Sequence, residues 1–302
     1  MRTRSTAQSN GSWTRQASTL GTCGTGPVVA SAADEGYVVP LAVAFRSLLD
    51  QVAAGEPPRL VVLDGGIGAA SRDRLLESWT GAAGVEFIAP TDGRVESLPL
   101  RYSYTTRTTF LRLLLPDLLP ASCERVIYLD PDVLVSRDPT ELWSLDLGGL
   151  VLAAAREMYS PVVSSDNGLG GYLELGLAPE TPYFNAGVLV IDARRWREQG
   201  IGAAAIEHVR RFRPYHQDQD GLNAAVAGRF RELHPSWNVS RYWDREERRR
   251  GMFADLAAEA RILHFLGPDK PWHAGSAVPA WKRERFFACL DRTAWRDWRP
   301  GR

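Results

Sequence analysis

At 302 residues with 44% hydrophobic content, the chain is long enough for one large α/β domain or two small ones around a sizeable core. Its 36 Lys+Arg balance its 36 Asp+Glu, so no net field draws it to nucleic acid or to an anionic membrane, and any anion must be held by local groups. The longest strongly apolar run, Leu147 to Ala155, falls far short of the ~20 residues of a spanning helix, while Cys23, Cys123 and Cys289 lack metal-type spacing and fit reduced thiols in a cytoplasmic protein.

Residues 1–26, rich in Ser, Thr, Gly and Gln and without the apolar core of a signal peptide, read as a flexible tail, which leaves 27–302 as one domain. A first strand begins at Pro27-Val28-Val29-Ala30 and leads into Ala32-Ala33-Asp34-Glu35-Gly36-Tyr37. Val39, Val43, Leu48 and Leu49 then recur near helical spacing. Leu60 to Leu63 is a second strand, Arg72 to Trp79 a helix behind Ser71 as N-cap, and Val85 to Ile88 a third strand. Gly66-Ile67-Gly68 has neither a third glycine nor a GK[ST] sequel, so it reads as a turn and not as a phosphate loop. Thr109 to Leu115 is helical, and Val126 to Leu129 is a buried strand. This alternation predicts an α/β fold: a mostly parallel sheet with helices on its faces.

Further on, Asp138-Pro139 opens a short helix through Trp143, and Val151 to Ala155 and Tyr183 to Ile191 are strands. The Gly- and Pro-containing stretch between them has the length of a binding loop. Trp281 to Arg302 mixes cations with Phe286, Phe287, Trp295 and Trp298. It reads as a packed C-terminal helix, with weak peripheral membrane contact as the alternative.

Chemistry concentrates where Val126-Ile127-Tyr128-Leu129 stops at Asp130-Pro131-Asp132 and resumes as Val133-Leu134-Val135. Open α/β sheets bind ligands at the carboxyl ends of such strands. Pro131 biases Asp130 toward an extended conformation, so two carboxylates at i and i+2 project to one side and repel unless a hard divalent cation lies between them. The plain alternative is a pair of solvated turn aspartates. Four other segments bear on the choice, each with its own structural alternative. Ala33 to Tyr37 offers a carboxylate and an aromatic face for a planar base, or simply a packed tyrosine. Phe184-Asn185-Ala186-Gly187 brings an amide to a close backbone approach, or is a glycine-weakened strand. Gln217-Asp218-Gln219-Asp220 presents polar groups, or acids suited to a helix start. His264 to Trp272 offers a ligating imidazole, Gly267 for close approach to an anion, and Lys270, or carries only a chance lysine in a surface turn. Of 36 cationic residues only Lys270 and Lys282 are lysine, which makes a point charge at 270 informative. Together these groups suit a metal-chelated diphosphate.

The motifs Tyr128-Leu129-Asp130-Pro131-Asp132, Phe184-Asn185-Ala186-Gly187-Val188, Asp218-Gln219-Asp220 and His264-x-x-Gly267-x-x-Lys270-Pro271-Trp272, in that order, strongly resemble family 8 glycosyltransferases. That group contains bacterial lipooligosaccharide galactosyltransferases and glycogenin. The resemblance implies a single Rossmann-like GT-A domain and a Mn²⁺- or Mg²⁺-dependent retaining transferase that moves a hexose from a UDP-sugar to a hydroxyl acceptor. By position, Asp130, Asp132 and His264 match the metal ligands. Asp34 and Tyr37, with Ala32 and Ala33, match the uracil pocket, and Gly267 and Lys270 the diphosphate contacts. Arg112, Asn185, Asp218 and Gln219 match positions around the donor sugar, with Pro131 and Ala186 in the same motifs. Gln219, Asp218 and Lys270 form the implied catalytic set. An amide is a poor nucleophile, so front-face substitution is favoured over a covalent glycosyl-enzyme. Gly36 departs from a larger polar residue in some relatives. Arg156 to Thr181 and Arg241 to Arg250, which would face the acceptor, follow no family pattern. A haloacid-dehalogenase phosphatase, which also ends a strand in DxD, and a non-catalytic nucleotide-sugar binding protein are the rivals.

Overall fold

β1 (Val28–Ala33) is buried along its whole length and forms the axis of a seven-stranded sheet. Its side chains alternate between two cores, as a strand covered on both faces requires. Val29 and Ala33 pack with Phe45, Trp79 and Phe286, whereas Val28, Ala30 and Ala32 pack with Phe110, Leu113 and Trp196. The computed structural model describes residues 26–52, 55–90, 93–102, 105–240 and 259–301. The expected tail (apart from Gly26) and the arginine-rich Arg241 to Arg250 lie outside the described residues.

After β1 come α1 (Val38–Gln51), β2 (Arg59–Asp64), α2 (Ala69–Ser78) and β3 (Gly84–Ile88). A 3-10 helix (Arg107–Leu114) runs into α3 (Leu115–Leu118), and β4 (Arg125–Leu129) follows. Next are β5 (Val133–Val135), α4 (Thr140–Trp143), β6 (Leu152–Arg156) and β7 (Phe184–Asp192). The chain continues through α5 (Ala193–Glu198), α6 (Ile201–Phe212), α7 (Asp218–Val226) and β8 (Arg231–Leu233). A 3-10 turn (Pro235–Asn238), β9 (Val239–Ser240), β10 (Ile262–His264) and α8 (Ala280–Leu290) complete the described elements.

The large sheet has the order β3-β2-β1-β4-β7-β6-β8 and is mostly parallel, with β7 antiparallel to both its neighbours. Strand order reverses between β1 and β4, the switch point at which open α/β sheets take ligands. Because β7 runs backwards, its first residues arrive at the same edge as the last residues of β1 and β4. Leu129 pairs with Val188, and Asp130 N–H donates to Gly187 O at 2.8 Å. A second sheet, β5-β10-β9, lies across this edge. Antiparallel pairing of Val133 with His264 carries the imidazole to the aspartates, and Phe265 N–H donates to Asp132 O at 2.9 Å.

Local expectations hold with instructive exceptions. The second helix begins at Ala69, and Ser71 lies inside it instead of capping it. Glu35 takes over the helix start by accepting Gly68 N–H at 2.8 Å and the Ser71 hydroxyl at 2.6 Å. Thr109 to Leu115 is wound mainly as a 3-10 helix, and α4 starts just after Pro139 with Asp138 accepting Thr140 N–H at 2.9 Å. Gly66-Ile67-Gly68 is a turn, with Asp64 accepting the N–H groups of Gly66 and Ile67. The C-terminal segment packs: Phe286 and Trp295 are buried, and the Arg74 guanidinium lies 4.4 Å from the Trp295 ring centre. Among the described residues no helix is long and apolar enough to cross a membrane. Cys289 is a buried free thiol, its pKa pushed up to about 12 by that burial.

Candidate active site and metal centre

A cavity of about 500 Å³ opens at the strand switch point, and every residue expected from the sequence to form the site lines it, from Ala32, Ala33, Asp34 and Tyr37 to Gly267 and Lys270. Asp130, Asp132 and His264 form its floor. One ligand atom from each lies within 4.8 Å of the others. His264 Nε2 is 3.5 Å from Asp130 Oδ2 and 3.2 Å from Asp132 Oδ1. That nitrogen is buried and has no hydrogen-bond partner. A buried polar atom left unpaired costs about 1–3 kcal/mol, and here it is aimed between two carboxylates. Two hard oxygens and an imidazole nitrogen at this spacing fit a divalent cation. Gly187 makes the approach feasible, since a Cβ there would stand 2.1 Å from His264 Cε1 and 2.9 Å from Asp130 Oδ2.

Each carboxylate commits one oxygen to a cation and leaves the other facing the imidazole. Asp130 Oδ1 accepts from Arg112 at 2.8 Å and from the Tyr128 hydroxyl at 3.0 Å. Asp132 Oδ2 accepts from Lys270 Nζ at 2.5 Å, and Lys270 also donates to Phe265 O at 2.6 Å. Burial alone would raise the Asp132 pKa, but the Lys270 ammonium beside it outweighs that and holds the carboxyl well below the usual range. Lys270 therefore sits on a metal-ligand candidate in this structure, where the sequence placed it against a diphosphate. Gly267, at φ +81°, supplies the left-handed turn that brings the loop back over the cavity.

Arg112 also differs from expectation. It lines the cavity, yet its guanidinium bridges Asp130 and Asp218, the latter at 2.9 Å, and donates to Ala186 O at 2.9 Å. It lies 4.8 Å from the Tyr128 ring centre. Burial would lower its pKa, but the two aspartates raise it, so the charge is permanent. Asp218 has both oxygens engaged, by Arg112 and by the Thr109 hydroxyl at 2.9 Å, and burial raises its pKa against Arg112's opposition. At the far end, Asp34 accepts the Thr106 hydroxyl at 2.6 Å and the Thr108 hydroxyl at 3.1 Å, and Tyr37 meets Trp272 edge-on at 6.2 Å.

Gln219 is held at both ends of its amide. Oε1 accepts Ala186 N–H at 3.0 Å, and Nε2 donates to the Tyr183 hydroxyl at 3.2 Å. Tyr183 donates in turn to Asp220, whose other oxygen accepts His216 N–H at 2.7 Å. Burial pushes Asp220 up to about 7, against the hydrogen bonds from Tyr183 and His216. Gln217, which opens α7, has φ 50° and ψ −111°. A sparsely populated backbone state of this kind costs about 1–3 kcal/mol and clusters at functional sites. From sequence, Tyr128 and Tyr183 had no role beyond opening their motif segments, and neither Glu157 nor Asn238 was singled out. Only Tyr128 carried a signal, two residues before Asp130 on the same strand face.

Residues 28–275 match the family model described as "Glycosyl transferase family 8". General stress protein A of Bacillus subtilis is 30% identical over 88% of this chain and 94% of its own length. The lipopolysaccharide 1,3-galactosyltransferase of Salmonella typhimurium is 29% identical over 67% of this chain and 59% of its own. Among solved structures, the galactosyltransferase LgtC in complex with donor and acceptor sugar analogs superposes with a TM-score of 0.75 at 29% identity, covering 88% of this chain and 96% of that one.

Proposed function

The chain belongs to glycosyltransferase family 8, and from that premise we propose that it transfers a hexose from a UDP-sugar to a hydroxyl-bearing acceptor with retention of anomeric configuration. The observation that carries this reading is the unpartnered His264 Nε2 facing one free oxygen each of Asp130 and Asp132 across a cleft at the strand switch point. Those three residues would hold a divalent cation such as Mn²⁺ or Mg²⁺, whose chemistry is to neutralise charge on the diphosphate as it leaves. Asp34 and Tyr37 hold the uracil. Lys270 serves the leaving diphosphate as a second positive charge, and Arg112 keeps Asp130 and Asp218 oriented. Gln219, fixed by Ala186 and Tyr183, lies against the donor sugar. The anomeric C–O bond to the β-phosphate breaks as the acceptor oxygen bonds to the same face, and the acceptor proton passes to the leaving phosphate.

A phosphatase using Asp130 as nucleophile is disfavoured, because residues 28–275 match the glycosyltransferase family 8 model. The test is a panel of UDP-hexoses with Mn²⁺, read first by thermal shift and then by slow hydrolysis, with the released anomer assigned by NMR. One UDP-hexose is expected to stabilise the protein and to release α-configured sugar. Stabilisation without turnover of any UDP-hexose, with or without acceptors, would leave a binding protein. No stabilisation by any of them would overturn the reading.

A further inference from the structure

His264 offers a nitrogen to a cation only if Nε2 carries a lone pair and not a proton. The tautomer is set by whatever Nδ1 touches. Nδ1 lies 2.8 Å from Asn238 Oδ1, and Asn238 ends the 3-10 turn whose chain continues into β9 beside β10. The orientation of that amide is fixed by neighbours with a single role. Asn185 Oδ1 accepts Gly187 N–H at 2.9 Å, and a backbone N–H can only donate. Asn185 Nδ2 donates to Glu157 Oε2 at 2.7 Å, and a carboxylate can only accept. With Asn185 fixed at both ends, the Asn238 atom 2.7 Å from Asn185 Oδ1 must be its NH₂ group. Its oxygen is then the atom turned to the imidazole, and Nδ1 must carry the proton. Asn185, Asn238 and His264 are all buried, so water does not substitute for any of these contacts.

We propose that Asn238 is a positioning residue of the cation site: it holds His264 as the Nδ1–H form, leaves the Nε2 lone pair aimed between Asp130 and Asp132, and thereby sets the affinity for a divalent cation. The inference rests on the triad being a cation site. Outer partners that orient a ligating histidine are typically worth about 10- to 100-fold in metal affinity. The same contact ties the cation site to Asn185, so the side chain that orients the ligand also fixes an amide in the donor cleft.

The experiment is a Mn²⁺ titration followed by electron paramagnetic resonance on the full chain, comparing the wild type with Asn238→Ala and Asn238→Asp, each checked for folding by circular dichroism. Asn238→Ala is expected to weaken Mn²⁺ about 10- to 100-fold. Asn238→Asp keeps an acceptor for Nδ1–H and is expected to bind more tightly than the alanine variant, although it loses the donor to Asn185. A merely structural role reverses that order, because the aspartate buries a charge beside Asn185 Oδ1. Equal affinity in a folded alanine variant, or an aspartate variant weaker than alanine, would overturn the proposal. Should neither variant fold, the ¹⁵N spectrum of His264 in the wild type at pH 8.5 with saturating Mg²⁺ decides: Nδ1 protonated is expected, and Nε2 protonated overturns it. Failure of the wild type to bind Mn²⁺ would instead defeat the cation site itself.

Discussion

Replacing Gly187 by alanine inserts one methyl group into the narrowest point of the site. Its Cβ would lie 2.1 Å from His264 Cε1, 2.7 Å from His264 Nδ1 and 2.9 Å from Asp130 Oδ2. Carbon–carbon contacts settle at about 3.5–4.0 Å, so the closest of these is at least ~1.4 Å too short. The strand cannot retreat, since Gly187 O accepts Asp130 N–H at 2.8 Å and Gly187 N–H donates to Asn185 at 2.9 Å. The imidazole and the carboxylate must therefore swing apart. Overpacking of this kind costs about 1–3 kcal/mol, and at about 2–4 °C per kcal/mol for a large domain the metal-free Tm should fall by several degrees. The metal response is the sharper readout. Mn²⁺ at a hundredfold excess over the wild-type Kd adds about 2.7 kcal/mol to the wild type, and that increment should shrink toward zero in Gly187→Ala. Differential scanning calorimetry with and without Mn²⁺ measures both. A variant with the wild-type Tm and the wild-type Mn²⁺ increment would refute the claim that Gly187 exists to let His264 and Asp130 meet.

Three further outcomes are expected. Burial raises the Asp220 pKa from 3.8 to about 7, so the folded state holds an extra proton between those values and stability should fall as pH rises from about 4 to 7, by up to ~4 kcal/mol. Urea unfolding across that range should lose this slope in Asp220→Asn, and an unchanged slope would assign it to another group. Asp132→Ala should abolish transfer and also cost about 3–5 kcal/mol, because Lys270 is left buried without its carboxylate. Adding Lys270→Met should recover part of that stability and none of the activity, and full recovery of activity would contradict both roles. Trp295→Ala should cost about 3–5 kcal/mol in chemical denaturation, whereas a near-neutral effect would mean that the C-terminal segment does not pack as described.

Much of the architecture was legible because strands buried on both faces write continuous apolar runs, and the break at Asp130-Pro131-Asp132 marks the end of one of them. The direction of β7 was not legible, because a doubly covered strand looks equally apolar whichever way it runs. That direction nevertheless decides that Asn185 and Gly187 reach the same edge as Asp130. Partners distant in the chain were likewise hidden. Lys270 meets Asp132 across 138 positions, and the Glu35 carboxylate displaces Ser71 as the helix-start acceptor across 36. Arg112 was placed at the donor sugar by motif, but two buried carboxylates within reach of one guanidinium claim it first, and their proximity exists only in the folded chain. Asn238 sits in an ordinary turn-like run and becomes informative only when β9 lies beside β10.

The most direct test of the cation and diphosphate site is a crystal of the full chain grown with Mn²⁺ and UDP, with anomalous diffraction recorded at the manganese edge. One peak is expected within coordination distance of Asp130, Asp132 and His264 Nε2, in contact with both phosphates. UDP bound in the cleft with no manganese peak at those three residues would contradict it.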